Sequence, residues 1–173
     1  MRVKITKTKI YEWAEMSEDH KDKAIEKLYD INVDYDWWDS VYDDAETIGL
    51  KIDEFDIDRG SYCKGKFTQS AEDVANAIFE NHGKDCDTTE TANQYIFELE
   101  SLRDPYSDEN RKNKDFDPED IDTSDIDDEF LRLLLEDYRI MLQHECEYLT
   151  SRESIIETIE ANEYEFDENG NIA

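Results

Sequence analysis

The stretch WWDSVYDDAETIGLKIDEFDIDRGSYCKGKFTQSAEDVANAIFENHG, residues 37–83, decides the fold class, because its apolar period changes twice. Trp37, Trp38, Val41, Tyr42, Ala45 and Ile48 recur at helical spacing, and Gly49 stands where a left-handed C-terminal cap belongs. From Leu50 the period drops towards two. Leu50, Ile52, Phe55 and Ile57 lie among Lys51, Asp53, Asp56 and Asp58, close to the alternation of a half-buried strand. An extra residue at Glu54 shifts the phase and predicts a bulge. Asp58, Arg59 and Gly60 read as a hairpin turn, with Tyr62 to Phe67 as the return strand. Ser70 then caps a helix with Val74, Ala75, Ile78 and Phe79 inside, Asp73 in the capping-box position and Gly83 at its end. Helix, antiparallel hairpin and helix in succession predict an α+β fold.

Towards the N-terminus, Val3 to Trp13 is the one basic stretch and reads as a strand leading into a turn. Ser17 is the N-cap of a helix that places Ala24, Ile25, Leu28 and Tyr29 on one face. Towards the C-terminus, Thr88 or Thr89 opens a helix with the stripe Ala92, Tyr95, Ile96, Leu99 and Leu102. Residues 103–125 hold both prolines, many acids and few apolar side chains, so a solvated, mobile acidic loop is expected there. From about Asp125 to Leu149 a strong helix follows. It is apolar nearly all round from Phe130 to Leu142, except for the stripe Arg132, Glu136 and Arg139. Such a helix has to be covered on more than one side, which makes 126–149 the central helix. Ser151 caps a short helix with Ile155, Ile156 and Ile159, and Tyr164 to Phe166 adds an edge strand. The expectation for residues 1–173 is a single α+β domain: a small, mainly antiparallel sheet packed by five or six helices.

Charge narrows the class of partner. The 173 residues carry 48 acids against 19 bases, a formal charge of −29, with 38% hydrophobic side chains to build a core. Direct nucleic-acid binding is excluded, because nothing could neutralise a phosphate backbone. Docking on an anionic membrane face is disfavoured for the same reason. The acids are spread along the whole chain and are not gathered in a tail. Cys63, Cys86 and Cys146 are too few and too scattered for a disulfide framework and suit a reducing cytosol. The opening MRVKITKTKI lacks the apolar run of a signal peptide, and no stretch is long enough to span a bilayer.

Constellations that could carry chemistry are weak. Cys63, His82, Cys86, His144 and Cys146 lack the paired spacing of a zinc finger or ribbon. Asp117, Asp120, Asp122 and Asp125 are dense enough to suggest calcium. No glycine falls at the sixth loop position, however, and the twelfth residue from Asp120 is Leu131, not a bidentate glutamate. There is no phosphate-binding glycine loop and no nucleophile elbow, so neither an enzyme nor a cofactor is expected. Lys64, Lys66 and Arg59, beside Gly60 and Gly65, are the one clustered basic set that could take a nucleotide. Trp37 and Trp38 point about 100° apart on a helix. At least one belongs in the core, and the other use of the pair is an apolar partner surface or a homodimer contact.

The acids around the two tryptophans carry the sharper reading. Salt adaptation would predict few lysines and many small residues, and this chain has the reverse. Asp36, Asp39, Asp43, Asp44 and Glu46 crowd about 16 Å of helix, one charge per roughly 3.3 Å. One DNA strand carries a charge every ~3.4 Å along its axis. Asp117, Glu119, Asp120 and Asp122 form a second acidic group.

Two stretches carry a resemblance. Trp37, Trp38, Val41 and Tyr42 running into FDIDRGSYCKGKF (55–67), and the ending YLTSRESIIETIEANEYEFDENGNIA (148–173), resemble a group of small acidic bacteriophage and prophage accessory proteins of unassigned function. The resemblance implies a host-cytoplasm setting and carries no active site over. In physical type, size and charge are similar to those of antirestriction and anti-CRISPR proteins that mimic DNA. The resulting expectation is a non-enzymatic, cofactor-free inhibitor whose carboxylates occupy the groove of a basic nucleic-acid-binding host protein. A restriction enzyme or a CRISPR effector would be such a target.

Overall fold

A computed structural model describes residues 8–107, 110–113 and 115–173. Val3 and Ile5, expected to open a strand, lie outside the described residues. Among the described residues there are six α-helices and four short strands, the strands paired as two antiparallel ribbons. The α+β class follows the periodicity. The chain divides into two compact units, one made of the residues up to Trp37 with His144–Ala173, the other of Trp38–Gln143.

In the first unit β1 (Tyr11–Glu12) pairs antiparallel with β4 (Glu165–Phe166), and α1 (Glu18–Lys27) and α6 (Arg152–Ala161) supply the helices. Met16, Ala24, Ile155, Ile159 and Phe166 form the core. Ser151 caps α6 by accepting from the Ser154 N–H at 3.2 Å, as its position predicts. Tyr29, expected inside, is 55% exposed, because α1 has already ended at Leu28 and the chain has left helical phase. The sequence pattern gives no sign of the buried Asn32, whose amide donates to Leu149 O and Ser154 Oγ and accepts from Thr158 Oγ1.

The second unit is built on α2 (Asp39–Thr47), the hairpin β2 (Leu50–Asp56) and β3 (Tyr62–Phe67), α3 (Ala71–Asn81), α4 (Asp87–Arg103) and most of α5 (Ser124–Leu149). Gly49 adopts φ 83° behind α2, the left-handed cap expected of it. The hairpin forms from the two expected strands, and its bulge falls at Asp53, between the pairs Ile52↔Gly65 and Glu54↔Lys64, one residue earlier than Glu54. Ser70 Oγ accepts from the Asp73 N–H and so caps α3. Phe79 is 40% exposed because it sits about 100° round the helix from buried Ile78. Leu102, in the last turn of α4, is also exposed.

α5 earns its central reading within this unit. Phe130, Leu134, Tyr138 and Leu142 form one fully buried stripe. Phe130 stacks on Tyr95 of α4 at 4.5 Å and tilts against Phe67 of β3 at 5.3 Å. On the charged stripe Arg139 pairs with Glu136 and donates to Ser61 Oγ at 2.9 Å. Leu135 touches the hairpin at Gly65, where a Cβ would come 2.3 Å from Lys51 O, so only glycine fits that approach.

One boundary is corrected. The helix carrying the acids begins at Asp39, with Trp38 at its N-cap (φ −83°, ψ −4°), and Trp37 and Trp38 belong to the turn before it. The tryptophans fit the helical period but are held in that turn. Asp39 instead takes the first-turn position, which the helix dipole favours for an acid.

Candidate functional site

The second helix presents a narrower acidic face than its sequence implies. Asp39, Asp43 and Glu46 are exposed and lie four and three residues apart, so they form one row along α2. That row rises about 10.5 Å, one charge per roughly 5 Å, because 1.5 Å separates successive residues. Asp36 is exposed in the turn that precedes α2. Asp44 faces inward. It is half-buried, and its Oδ2 accepts from the Tyr138 hydroxyl at 2.7 Å. The charge density read from the sequence is therefore too high, since it counted Asp36 as helical and Asp44 as outward.

The second acidic group is exposed as expected. Asp117 closes a short turn by accepting from the Glu119 N–H, and Glu119 and Asp120 project from the segment that follows. Asp122 Oδ1 accepts from both the N–H and the hydroxyl of Ser124 at the start of α5. Those two bonds hold its carboxyl below the usual carboxylate range.

Among the described residues seven cations pair with the protein's own acids. Lys21 pairs with Glu18, Lys51 with Asp53, Lys64 with Glu54 and Arg103 with Glu72. Arg132 pairs with Glu129, Arg139 with Glu136 and Arg152 with Asp22. None of these pairs includes an acid of the α2 row or of the 117–122 group. Exposed pairs of this kind contribute little to stability.

A cleft that the sequence did not suggest lies between α3, α4 and α5 and encloses about 430 Å³. His82 stands in its wall with only 9% of its side chain exposed. Its Nδ1 is 2.8 Å from Thr88 Oγ1, while Nε2 is buried and makes no hydrogen bond. Asp44 Oδ1 stands 3.5 Å from Nε2. Asp137 borders the same cleft and accepts from the Thr91 hydroxyl at 2.7 Å. Burial pushes its carboxyl above the ordinary range against that hydrogen bond, and the charges of Asp87, Glu136 and Glu90 add to the rise. Burial likewise raises the Tyr138 hydroxyl, helped by its bond to Asp44. These residues come from α2, the α3–α4 link, α4 and α5, so no local motif could have revealed them. Thr88 and Thr89, read as helix openers, lie inside α4, and Thr89 Oγ1 donates to Gly83 O to fasten the link.

Among the described residues no group of three or more His, Cys, Asp or Glu side chains is placed to hold a metal ion. Burial raises the Cys63 thiol to about 11, with the Arg139 charge opposing. Of the basic trio, Lys64 is bound to Glu54 and lies over the Tyr62 ring at 4.4 Å. Trp38 packs edge-on against Phe55 at 5.6 Å, and Tyr42 meets the same ring, so Trp38 serves the α2–hairpin packing. Trp37 is half-buried. No helix among the described residues is long and apolar enough to cross a membrane. No family model, no curated protein and no solved structure matches this chain.

Proposed function

We propose that the protein is a non-enzymatic acidic decoy that occupies the nucleic-acid groove of a basic host protein, in the manner of a DNA mimic. The observation that carries this reading is the exposed row Asp39, Asp43 and Glu46, preceded in sequence by exposed Asp36, none of them a member of the ion pairs made by Lys21, Lys51, Lys64, Arg103, Arg132, Arg139 and Arg152. Lysines and arginines that line a DNA groove bind carboxylates by the same charge-assisted hydrogen bonds that they offer phosphates. A formal charge of −29 speeds encounter with such a groove. Asp117, Glu119, Asp120 and Asp122 are the second contact set. The likeness to phage accessory proteins supports a phage-encoded inhibitor working in the host cytoplasm against a restriction enzyme, a CRISPR effector or another DNA-handling protein. The rival reading, an apolar interaction module built on Trp37 and Trp38, is disfavoured by the packing of Trp38 on Phe55.

The immobilised protein, exposed to bacterial lysate at low salt, tests this. Captured proteins should elute with duplex DNA, release steeply as salt rises, and fail to bind the variant Asp36→Asn/Asp39→Asn/Asp43→Asn/Glu46→Gln. Capture that survives both DNA and the variant, and is lost on Trp37→Ala, would replace the decoy with the apolar module.

A further inference from the structure

We propose that Asn169 is a site of spontaneous deamidation through the Gly170 nitrogen, at a rate set by a clasp that Asp167 forms around it. The isoaspartyl product releases the C-terminal turn from α1. The site belongs to the first unit and shares no residue with the decoy reading, so the two hold or fail independently.

The ending DENGNIA, residues 167–173, contains the only Asn-Gly pair of the sequence. Glycine carries no Cβ, so its nitrogen is the least screened nucleophile that can follow an asparagine. Asn169 is exposed, and its carboxamide makes none of the hydrogen bonds among the described residues. The carboxamides of Asn32, Asn81, Asn110, Asn162 and Asn171 are each bound.

The chemistry needs water and no other reagent. The Gly170 nitrogen gives up its proton and attacks Asn169 Cγ, forming the C–N bond that closes a five-membered succinimide. The side-chain nitrogen takes up a proton and leaves as ammonia. Water then opens the ring at either carbonyl. One product is an ordinary aspartyl residue. In the other, the isoaspartyl residue, the main chain runs through Cγ and is a methylene longer.

In the closed turn the attacking nitrogen is occupied, because the Gly170 N–H donates to Asp167 O at 3.0 Å. Asp167 Oδ1 accepts from the Asn169 and Asn171 N–H groups at 2.8 and 2.9 Å, and Oδ2 accepts from the Asn171 carboxamide at 2.8 Å. The side-chain and backbone bonds from Asn171 hold the Asp167 carboxyl down to about 2, so the clasp keeps its charge wherever the Gly170 nitrogen loses a proton. Lys27 Nζ of α1 donates to Asn171 Oδ1 at 2.5 Å. Gly170 lies so close to the same helix that a Cβ would come 2.7 Å from Ala24 N. Attack therefore waits on local opening of the turn. A methylene inserted between Asn169 and Gly170 then moves either Gly170 off Ala24 or Asn171 off Asp167.

Ageing the intact protein in mildly alkaline buffer tests this, with tryptic peptide mass spectrometry as the readout and the urea-unfolded chain as the unprotected reference. Deamidation should accumulate at Asn169 ahead of Asn162 and Asn171, at least tenfold more slowly in the folded chain than in urea. Asp167→Ala should raise the folded rate at least fivefold. Lys27→Met removes a single bond from an exposed side chain, leaves the core intact and should raise the rate at least twofold. The isoaspartyl form, isolated by chromatography, should melt below the parent. Asn169→Asp adds the same charge without the methylene and should melt with the parent. Earlier reaction at Asn162 or Asn171 would overturn the site. Equal rates in the folded and unfolded chains, or variants no faster than the parent, would overturn control by the clasp. An isoaspartyl form that melts with Asn169→Asp would overturn release of the turn.

Discussion

The Tyr138 hydroxyl donates to Asp44 Oδ2 at 2.7 Å, joining α5 to α2 between residues 94 apart in sequence. The Tyr138 ring is fully buried and Asp44 is half-buried. This bond separates one acid of α2 from its neighbours. Asp39, Asp43 and Glu46 face solvent and are available to a partner, whereas Asp44 satisfies a core hydroxyl and turns its other oxygen towards His82.

Removing either end of that bond should therefore destabilise the fold. Tyr138→Phe deletes the donor and leaves a carboxylate that water can still reach, a loss of about 1–2 kcal/mol. Asp44→Ala strands the hydroxyl in the core and should cost about 2–3 kcal/mol. The surface variant Asp36→Asn/Asp39→Asn/Asp43→Asn/Glu46→Gln relieves like-charge repulsion at the expense of the helix-dipole interaction of Asp39, and should stay within about 1 kcal/mol of the parent. Urea denaturation monitored by circular dichroism measures all three. Equal losses from Asp44→Ala and from the surface variant would mean that the bond contributes nothing.

The hairpin and the caps of α2, α3 and α6 were legible because they are local, whereas Thr88 and Thr89 fell inside α4, which Cys86 precedes as N-cap. The Asp58-Arg59-Gly60 turn, Ser70, Ser151 and Gly49 each act within a few residues, and each stands where its sequence places it. The start of α2 was not, since Trp37 and Trp38 fit a helical period yet sit in a turn. Inward-facing acids were invisible for a related reason. Period alone ranks Asp44 with Asp43, and only the placement of Tyr138 from a distant helix distinguishes them. The His82 cleft draws on four separate elements, and in a chain with 48 acids no pair of carboxylates stands out.

Gly65 should be the least replaceable glycine of the hairpin. A Cβ there would lie 2.3 Å from Lys51 O and 3.1 Å from Leu135 Cδ2, so either the ribbon must open or α5 must move. Gly65→Ala is expected to cost about 3 kcal/mol or more, the upper end for overpacking. Gly60, at the turn, would meet nothing nearer than Asp56 Oδ2 at 3.7 Å, so Gly60→Ala should be nearly neutral. Thermal melts of the two variants decide it, and similar midpoints would remove the steric argument.

Chymotrypsin should cut at Tyr106 before Phe97. Both rings are open to solvent, at 80% and 71% exposure. Phe97 lies inside α4, where cleavage first requires helix opening, whereas Tyr106 follows Pro105 in a turn beyond the end of α4. Mass spectrometry of early digests identifies the first site. Initial cleavage within α4 would show that this helix opens more readily than the acidic segment after it.

Asp137 and Asp122 should give pH profiles of opposite sign. Burial raises the Asp137 carboxyl in the folded protein above its unfolded value of roughly 3.9. The folded state therefore binds this proton more tightly, and ionisation at neutral pH works against the fold. Asp137→Asn keeps an acceptor for Thr91 and removes that penalty, so its melting temperature should exceed the parent's at pH 7 by on the order of 2 °C. The gain should shrink as pH falls through the folded value and vanish below the unfolded one, where both states are protonated. Asp122 is the converse case. Its bonds from Ser124 lower the carboxyl in the folded state, so its contribution is present above the unfolded value and disappears as pH falls through the folded one. Asp122→Asn should melt below the parent at pH 7, and that deficit should close in acid. Melting curves of both variants and the parent from pH 7 to pH 2.5 measure the differences. If Asp137→Asn were destabilising at pH 7, the Thr91 bond would outweigh burial and the sign assigned to this carboxylate would be reversed.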